Sequence, residues 1–220
     1  LPWRALFEPA IRLANEGFVI SPRMQTSVQA DKYLMKDDAA RAYFYQADGV
    51  TAKAAGTVLR NPEYAQVLQA IAKNGSKAFY TGPIAQAIVA KVQTHPSNGG
   101  TLSLKDLAGY RPKMREALCG NYRSYKVCGP AAPSSGGVAV LQILGQLERF
   151  NLSALKPDSA QAIHYFSESQ RLAFADRGKY LADTDFVSVP SKGLLNPSHI
   201  ASRSALISEN QSLGTATAGN

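Results

Sequence analysis

Proline and glycine cut this chain into helix-length pieces, and that punctuation constrains the fold more than any other feature. A proline has no N–H to give a helix interior but suits the first turn, whereas glycine readily takes the backbone conformation that ends a helix. Pro2, Leu6, Pro9-Ala10, Leu13 and Ala14 define a first helical stripe, and Gly17 stops it. Ser21-Pro22 reads as a cap with proline at the first helical position, predicting a second helix to about Leu34 that includes Met24, Val28 and Tyr33. Asn61-Pro62-Glu63 opens a third, with Tyr64, Val67, Leu68 and Ile71 at helical spacing and Asn74-Gly75 at its end. Ile84, Ala87, Ile88, Lys91 and Val92 mark a fourth.

The intervening stretches are less regular. Asp37 to Arg60 is irregular, with a helical turn and strand over Ala39 to Tyr45. His95 to Gly100 is a loop by every local rule, and Ser103 to Leu107 reads as a cap and one short helix. Two longer helices are expected, over Val138 to Phe150 and Ser159 to Leu181. Strand character is confined to Arg115–Cys119 and Tyr122–Cys128, on either side of a tight turn near Arg123-Ser124. No βαβ alternation suggests a parallel sheet. The fold class is therefore mainly α with a small antiparallel β-hairpin.

Composition narrows the function. With 220 residues, 45% of them apolar and 18% charged, the chain can build one cored domain or two small ones. No apolar run approaches the roughly 20 residues needed to span a bilayer; the longest, Gly136 to Leu147, is broken by Gln142, Gly145 and Gln146. No signal peptide is visible, and Leu1-Pro2-Trp3-Arg4 opens directly on a helix-like pattern, which reads as a processed or truncated piece. The net charge of +8 is scattered. Its densest cluster is Arg111, Lys113 and Arg115, then Arg123 and Lys126, without the stripe and stacking aromatics of a nucleic-acid surface. A solvated basic surface or long-range attraction of an anionic small substrate both fit.

Four constellations are candidates for chemistry. Cys119 and Cys128 stand symmetrically about the hairpin turn, where opposed residues lie close enough for a disulfide; two small buried apolar side chains are the alternative. Pro133-Ser134-Ser135-Gly136-Gly137 precedes a helix and could present a serine or free backbone N–H groups. It lacks the G-x-S-x-G spacing of a nucleophile elbow and the pattern of a phosphate loop, so serine capping and close backbone packing by the glycines are the structural reading. The three histidines, His95, His164 and His199, have no spacing that would let two share a metal. His164 stands four residues before Glu168 on the last long helix, together with Arg171, Asp176 and Arg177, where ion pairs account for the charges. No metal or cofactor is expected.

A more specific signal comes from longer strings taken in order. Leu1-Pro-Trp, Pro9-Ala-Ile-Arg-Leu-Ala, Leu107-Ala-Gly-Tyr-Arg-Pro, Arg115-Glu-Ala-Leu-Cys-Gly-Asn-Tyr-Arg-Ser-Tyr-Lys-Val, Pro133-Ser-Ser-Gly-Gly, Leu141-Gln-Ile-Leu, Arg171-Leu-Ala-Phe-Ala-Asp-Arg and Tyr180-Leu-Ala-Asp-Thr-Asp-Phe resemble the large subunit of the γ-glutamyltranspeptidase family, to about Ile207. The resemblance implies an N-terminal-nucleophile hydrolase whose precursor cleaves itself into two subunits arranged as an αββα sandwich. In that scheme an N-terminal threonine of the small subunit attacks a γ-glutamyl amide such as glutathione, and the acyl group passes to water or to an amino acid or peptide. Cephalosporin and glutaryl acylases share the architecture and are the alternative reading, with a non-catalytic helical binding domain as a third.

The family's threonine string, its carboxylate-binding arginine and its oxyanion residues have no counterpart here. No catalytic residue is therefore carried over to this chain, and Pro133 to Gly137 is the most plausible near-site element. The implied organisation is a helical large-subunit region over 1–207 and a flexible linker over 208–220 toward the self-processing site. The small subunit of the same precursor is the expected partner. The resemblance also implies a periplasmic or secreted location.

Overall fold

The computed structural model describes residues 1–220. It resolves into two compact units, Leu1–Pro112 and Lys113–Asn220. Residues 208–220 fall within the second unit, where Leu213 and Ala216 pack on its core.

In the first unit a 3-10 turn, Trp3–Leu6, leads into α1, Glu8–Glu16. Strand β1, Phe18–Val19, pairs antiparallel with β2, Val58–Leu59, a second strand pair in addition to the expected hairpin. Between them lie α2, Pro22–Ala30, and α3, Asp38–Phe44. Then come α4, Pro62–Asn74; α5, Lys77–Tyr80; α6, Pro83–Gln93; and α7, Leu104–Gly109. Side-chain caps form where the sequence suggests: Ser21 accepts from the Met24 N–H, Asn61 from that of Tyr64, and Ser103 with Asp106 completes a capping box.

Helix α2 ends four residues before the expected Leu34. The reason is local: the Asp31 carboxylate accepts the N–H groups of Tyr33 and Leu34, both at 2.7 Å, and so competes with continuation of the helix. The apolar stripe of α4 is buried at Ala65, Leu68 and Ala72, and the Trp3 indole donates to the Ile71 carbonyl. Tyr45, fully buried with Val28 and Ala52, donates its hydroxyl to the Val28 carbonyl at 2.9 Å.

The second unit opens with β3, Leu118–Tyr122, and β4, Tyr125–Gly129, paired antiparallel with Cys119 opposite Cys128. The two sulfurs are bonded. Arg123 turns the corner at φ 53°, a costly conformation for a residue with a Cβ. Its N–H donates to the Glu148 carboxylate, and its guanidinium donates to the Glu148 and Phe150 carbonyls at 3.2 and 2.8 Å. Those carbonyls lie at the end of α8, Gly136–Leu147, so the turn is held by satisfying a helix terminus.

Next come α9, Ala160–Tyr180; α10, Ser191–Leu194; and α11, Pro197–Ser204. The core joins Ile143 and Leu147 of α8 to Tyr165, Leu172 and Ala173 of α9, with Phe150 and Ile207; Phe150 stacks on Tyr165 with ring centroids 4.0 Å apart.

The hairpin disulfide closes a short loop, and removing it relaxes the unfolded chain. Replacing both cysteines by serine is expected to lower unfolding free energy by about 2.5–3 kcal/mol. Chemical denaturation of the oxidised protein and the double variant measures this. Two alkylatable thiols in native, unreduced protein would show instead that the bond does not form.

Candidate functional site

Helix α9 carries a row of polar side chains at steps of three to five residues, which places them along one side of the helix. The irregular segment 208–219 runs beside this row. Gln161 donates to the Glu209 carbonyl at 2.9 Å, and His164 Nε2 meets the Ser208 carbonyl at 2.8 Å. Glu168 accepts from the Ser212 hydroxyl at 2.8 Å and the Leu213 N–H at 2.7 Å. Arg171 bonds Glu168 and donates to the Gly214 carbonyl at 2.9 Å. The segment also tucks Leu213 and Ala216 against the core. Composition alone suggests a flexible linker over 208–220, but its backbone polar groups find specific partners.

Glu168 is only 1% exposed. Burial by itself would raise its carboxyl, but the Leu213 N–H, the Ser212 hydroxyl and the Arg171 guanidinium outweigh that and hold it below its ordinary value of 4.5.

Two turns further along α9, Asp176 has no exposed surface at all. Four donors converge on its carboxylate. Gln142 of α8 and His199 of α11 each reach one oxygen at 2.9 Å; the Gly219 N–H reaches the other at 2.7 Å, beside the Arg203 guanidinium at 3.3 Å. A carboxylate accepts and does not donate, so His199 Nε2 carries the hydrogen in this contact. Gln142 also donates to the Leu194 carbonyl, and Arg203 to those of Leu172 and Thr217. The Tyr180 hydroxyl donates to the Gly219 carbonyl. Gly219 is required by space: a Cβ there would lie 2.6 Å from His199 Cε1 and 3.0 Å from Arg203 Cδ.

The His–Asp pair is bonded to Gln142, Arg203 and the Gly219 backbone, and no aliphatic hydroxyl or thiol is hydrogen-bonded to its side chains. The sequence signal for it was slight. Gln142 and Gln146 interrupt an otherwise apolar helix four residues apart, and both are fully buried. Asp176 reads from sequence as one member of an ordinary helix ion pair, and nothing local links it to His199.

The Pro133–Gly137 motif lies at the start of α8. Ser135 sits at the N-cap position but makes no capping bond, since its backbone is already helical at φ −85°, ψ −14°. Its hydroxyl accepts from Arg177 Nε at 3.1 Å instead, while the Ser134 hydroxyl accepts from the Gly136 N–H. The expected serine cap is therefore corrected. Close packing by glycine is observed: a Cβ on Gly137 would lie 2.4 Å from the Pro130 carbonyl oxygen. His95 bonds locally to Ser97 and Asn98, so none of the three histidines serves either serine.

No group of three His, Cys, Asp or Glu side chains converges as a metal cage, and no helix is long and apolar enough to cross a membrane. The densest basic cluster is partly neutralised, because Lys113 reaches Asp185 at 2.7 Å and Arg115 reaches Asp185 and Asp183 at 3.1 and 3.5 Å.

A family model described as gamma-glutamyltranspeptidase matches residues 1–219. The glutathione hydrolase proenzyme of Escherichia coli (strain K12) is 34% identical over 204 residues, covering 92% of this chain and 34% of that protein. The acylase ACY 1 proenzyme of Pseudomonas sp. (strain V22) is 35% identical over 211 residues, 96% of this chain and 37% of that protein. Among solved structures, the gamma-glutamyltranspeptidase of Helicobacter pylori superposes with a TM-score of 0.84 at 34% identity, covering 95% of this chain and 59% of that one. This chain thus spans about a third of the length of the curated relatives it matches.

Two consequences are measurable. Asp176→Ala leaves Arg203 buried without its anionic partner and is expected to cost about 3–5 kcal/mol in chemical denaturation. Glu168 titrates below its ordinary 4.5, so its stabilisation is complete above that value and is lost as pH falls through the lower, folded one. Protease protection of residues 208–219 should therefore fall on acidification. In Glu168→Gln protection should already be weaker at pH 7 and should fall less. An equal acid loss in both proteins would show that Glu168 does not hold the segment.

Proposed function

Since the chain belongs to the gamma-glutamyltranspeptidase family, we propose that it is a large-subunit part of a self-processing proenzyme that cleaves γ-glutamyl amides such as glutathione. The observation that carries this reading is the family match over residues 1–219. In this reading the acyl-enzyme forms on the N-terminal threonine of a small subunit outside the chain, and the γ-glutamyl group passes to water or to an amino acid or peptide acceptor. No residue of 1–220 is assigned as catalytic; Ser134 and Ser135 each lack a base within hydrogen-bond reach.

The small subunit of the same precursor is the proposed partner. Ile163, Phe166 and Phe174 are exposed at helical spacing on α9, an apolar face of the kind a partner covers. The basic net charge of +8 suits attraction of an anionic donor such as glutathione. A periplasmic or secreted location belongs to the same reading and is supported by the cysteine pair, since disulfides persist in oxidising compartments.

The similarity to acylase proenzymes, at 35% identity, favours a second reading: hydrolysis of a β-lactam side-chain amide on the same scaffold.

The test is turnover of γ-glutamyl-p-nitroanilide, with and without glycylglycine, by the 220-residue chain and by its full-length proenzyme. Activity is expected only from the proenzyme, with release of p-nitroaniline rising when the acceptor is present. Preference for a cephalosporin side-chain amide over the γ-glutamyl donor would move the assignment to the acylases. Activity of the isolated chain would overturn the placement of the nucleophile outside it.

A further inference from the structure

The segment 208–219 is held in two different ways. At Leu213 and Ala216 apolar side chains pack on the core, which is enough to cover a surface. At Gly219 no side chain packs. Instead the peptide groups on both sides of one residue are gripped by side chains four positions apart on α9, with Asp176 taking the N–H and Tyr180 donating to the carbonyl. Arg203 holds the Thr217 carbonyl two residues upstream at 2.6 Å. The wall formed by His199 and Arg203 leaves no room for a Cβ. Arg203 Nε, buried and without an acceptor, lies beside the same glycine. A buried carboxylate is a costly device if the only need is to cover apolar surface. It fixes position and direction, which apolar packing does poorly.

We propose that Asp176, with Tyr180 and Arg203, positions the chain for self-cleavage of the precursor by fixing the peptide groups around Gly219, so that the backbone beyond starts from one place in one direction. The inference rests on the proenzyme reading above. The cleavage it serves breaks one peptide C–N bond and consumes one water, leaving a carboxylate on the upstream piece and an amine on the downstream piece. Asp176 exchanges no proton in that step and acts only through the backbone it holds. Intramolecular reactions depend steeply on such placement, and a misplacement of about 1 Å can cost on the order of a hundredfold in rate.

The experiment tracks conversion of purified full-length proenzyme into two subunits by denaturing gel. It compares wild type with Gly219→Ala, Tyr180→Phe and an insertion of Gly-Ser-Gly directly after Asn220. The insertion leaves every contact described above in place and loosens only the chain beyond Asn220, so it decides the matter even if Gly219→Ala misfolds. Expected are at least tenfold slower conversion for the insertion and for Gly219→Ala, a smaller slowing for Tyr180→Phe, and an unchanged melting temperature for the insertion. When the two subunits carrying the insertion are co-expressed as separate chains, so that no cleavage is needed, γ-glutamyl-p-nitroanilide turnover should match the wild-type pair. Conversion of the insertion variant within twofold of wild type overturns the proposal, as does an equal loss of turnover in the co-expressed pair, which would mark a structural role. A wild-type precursor that never converts defeats the proenzyme reading itself and the proposal with it.

Discussion

The second unit is organised around a charge that has no access to water. Taking a carboxylate out of solvent costs several kcal/mol unless its oxygens are fully engaged. Asp176 meets that condition with donors from α8, α11 and the segment after α11. Two of these donors are themselves committed elsewhere: Gln142 to the Leu194 carbonyl and Arg203 to the Leu172 and Thr217 carbonyls. The placements of α8, α9, α10 and α11 are therefore not independent. Shifting one helix strands a polar group in the interior, where an unmade hydrogen bond costs more than a made one contributes. Ser169 and Ser204 extend the same logic, donating to the Ile143 and Gln146 carbonyls of α8.

The absence of regular structure over 208–219 reflects how it is held. Glu168 and Asp176 lie eight residues apart, roughly 12 Å along the helix axis. The chain between their partners, Leu213 and Gly219, could reach about 20 Å if extended. It has slack, and it has no strand beside it with which to form a ladder. Several of its N–H and carbonyl groups are satisfied one by one by side chains of α9 and α11, which gives a fixed path without a repeating one.

This arrangement suits a piece of a larger molecule. The chain belongs to a family whose curated relatives are about three times its length. It holds a disulfide-closed hairpin beside α8 and two buried acidic side chains on α9 that bond the segment after α11. In the serine-glycine motif before α8, Gly137 packs against the Pro130 backbone and Ser135 accepts from Arg177.

The sequence by itself determined the elements whose causes are local. Serine or asparagine caps mark the starts of α2, α4 and α7, followed by proline in the first two, because a cap and its helix are neighbours in the chain. The register that sets Cys119 opposite Cys128 comes from symmetry about a two-residue turn. The family is legible in the order of its strings. Tertiary structure alone decided the rest. Asp31 ended α2 early through contacts two and three residues away, a competition that helical periodicity does not weigh. The pairing of β1 with β2 spans some forty residues, and two-residue strands carry no alternation to read. The tail's polar composition matches that of a disordered linker, yet its partners lie on α9 and α11. Asp176, His199 and Gly219 lie 20 or more positions apart, and their meeting depends on the path of the chain between them. A side chain's type states which bonds it can make, and only the fold states which partners are within reach.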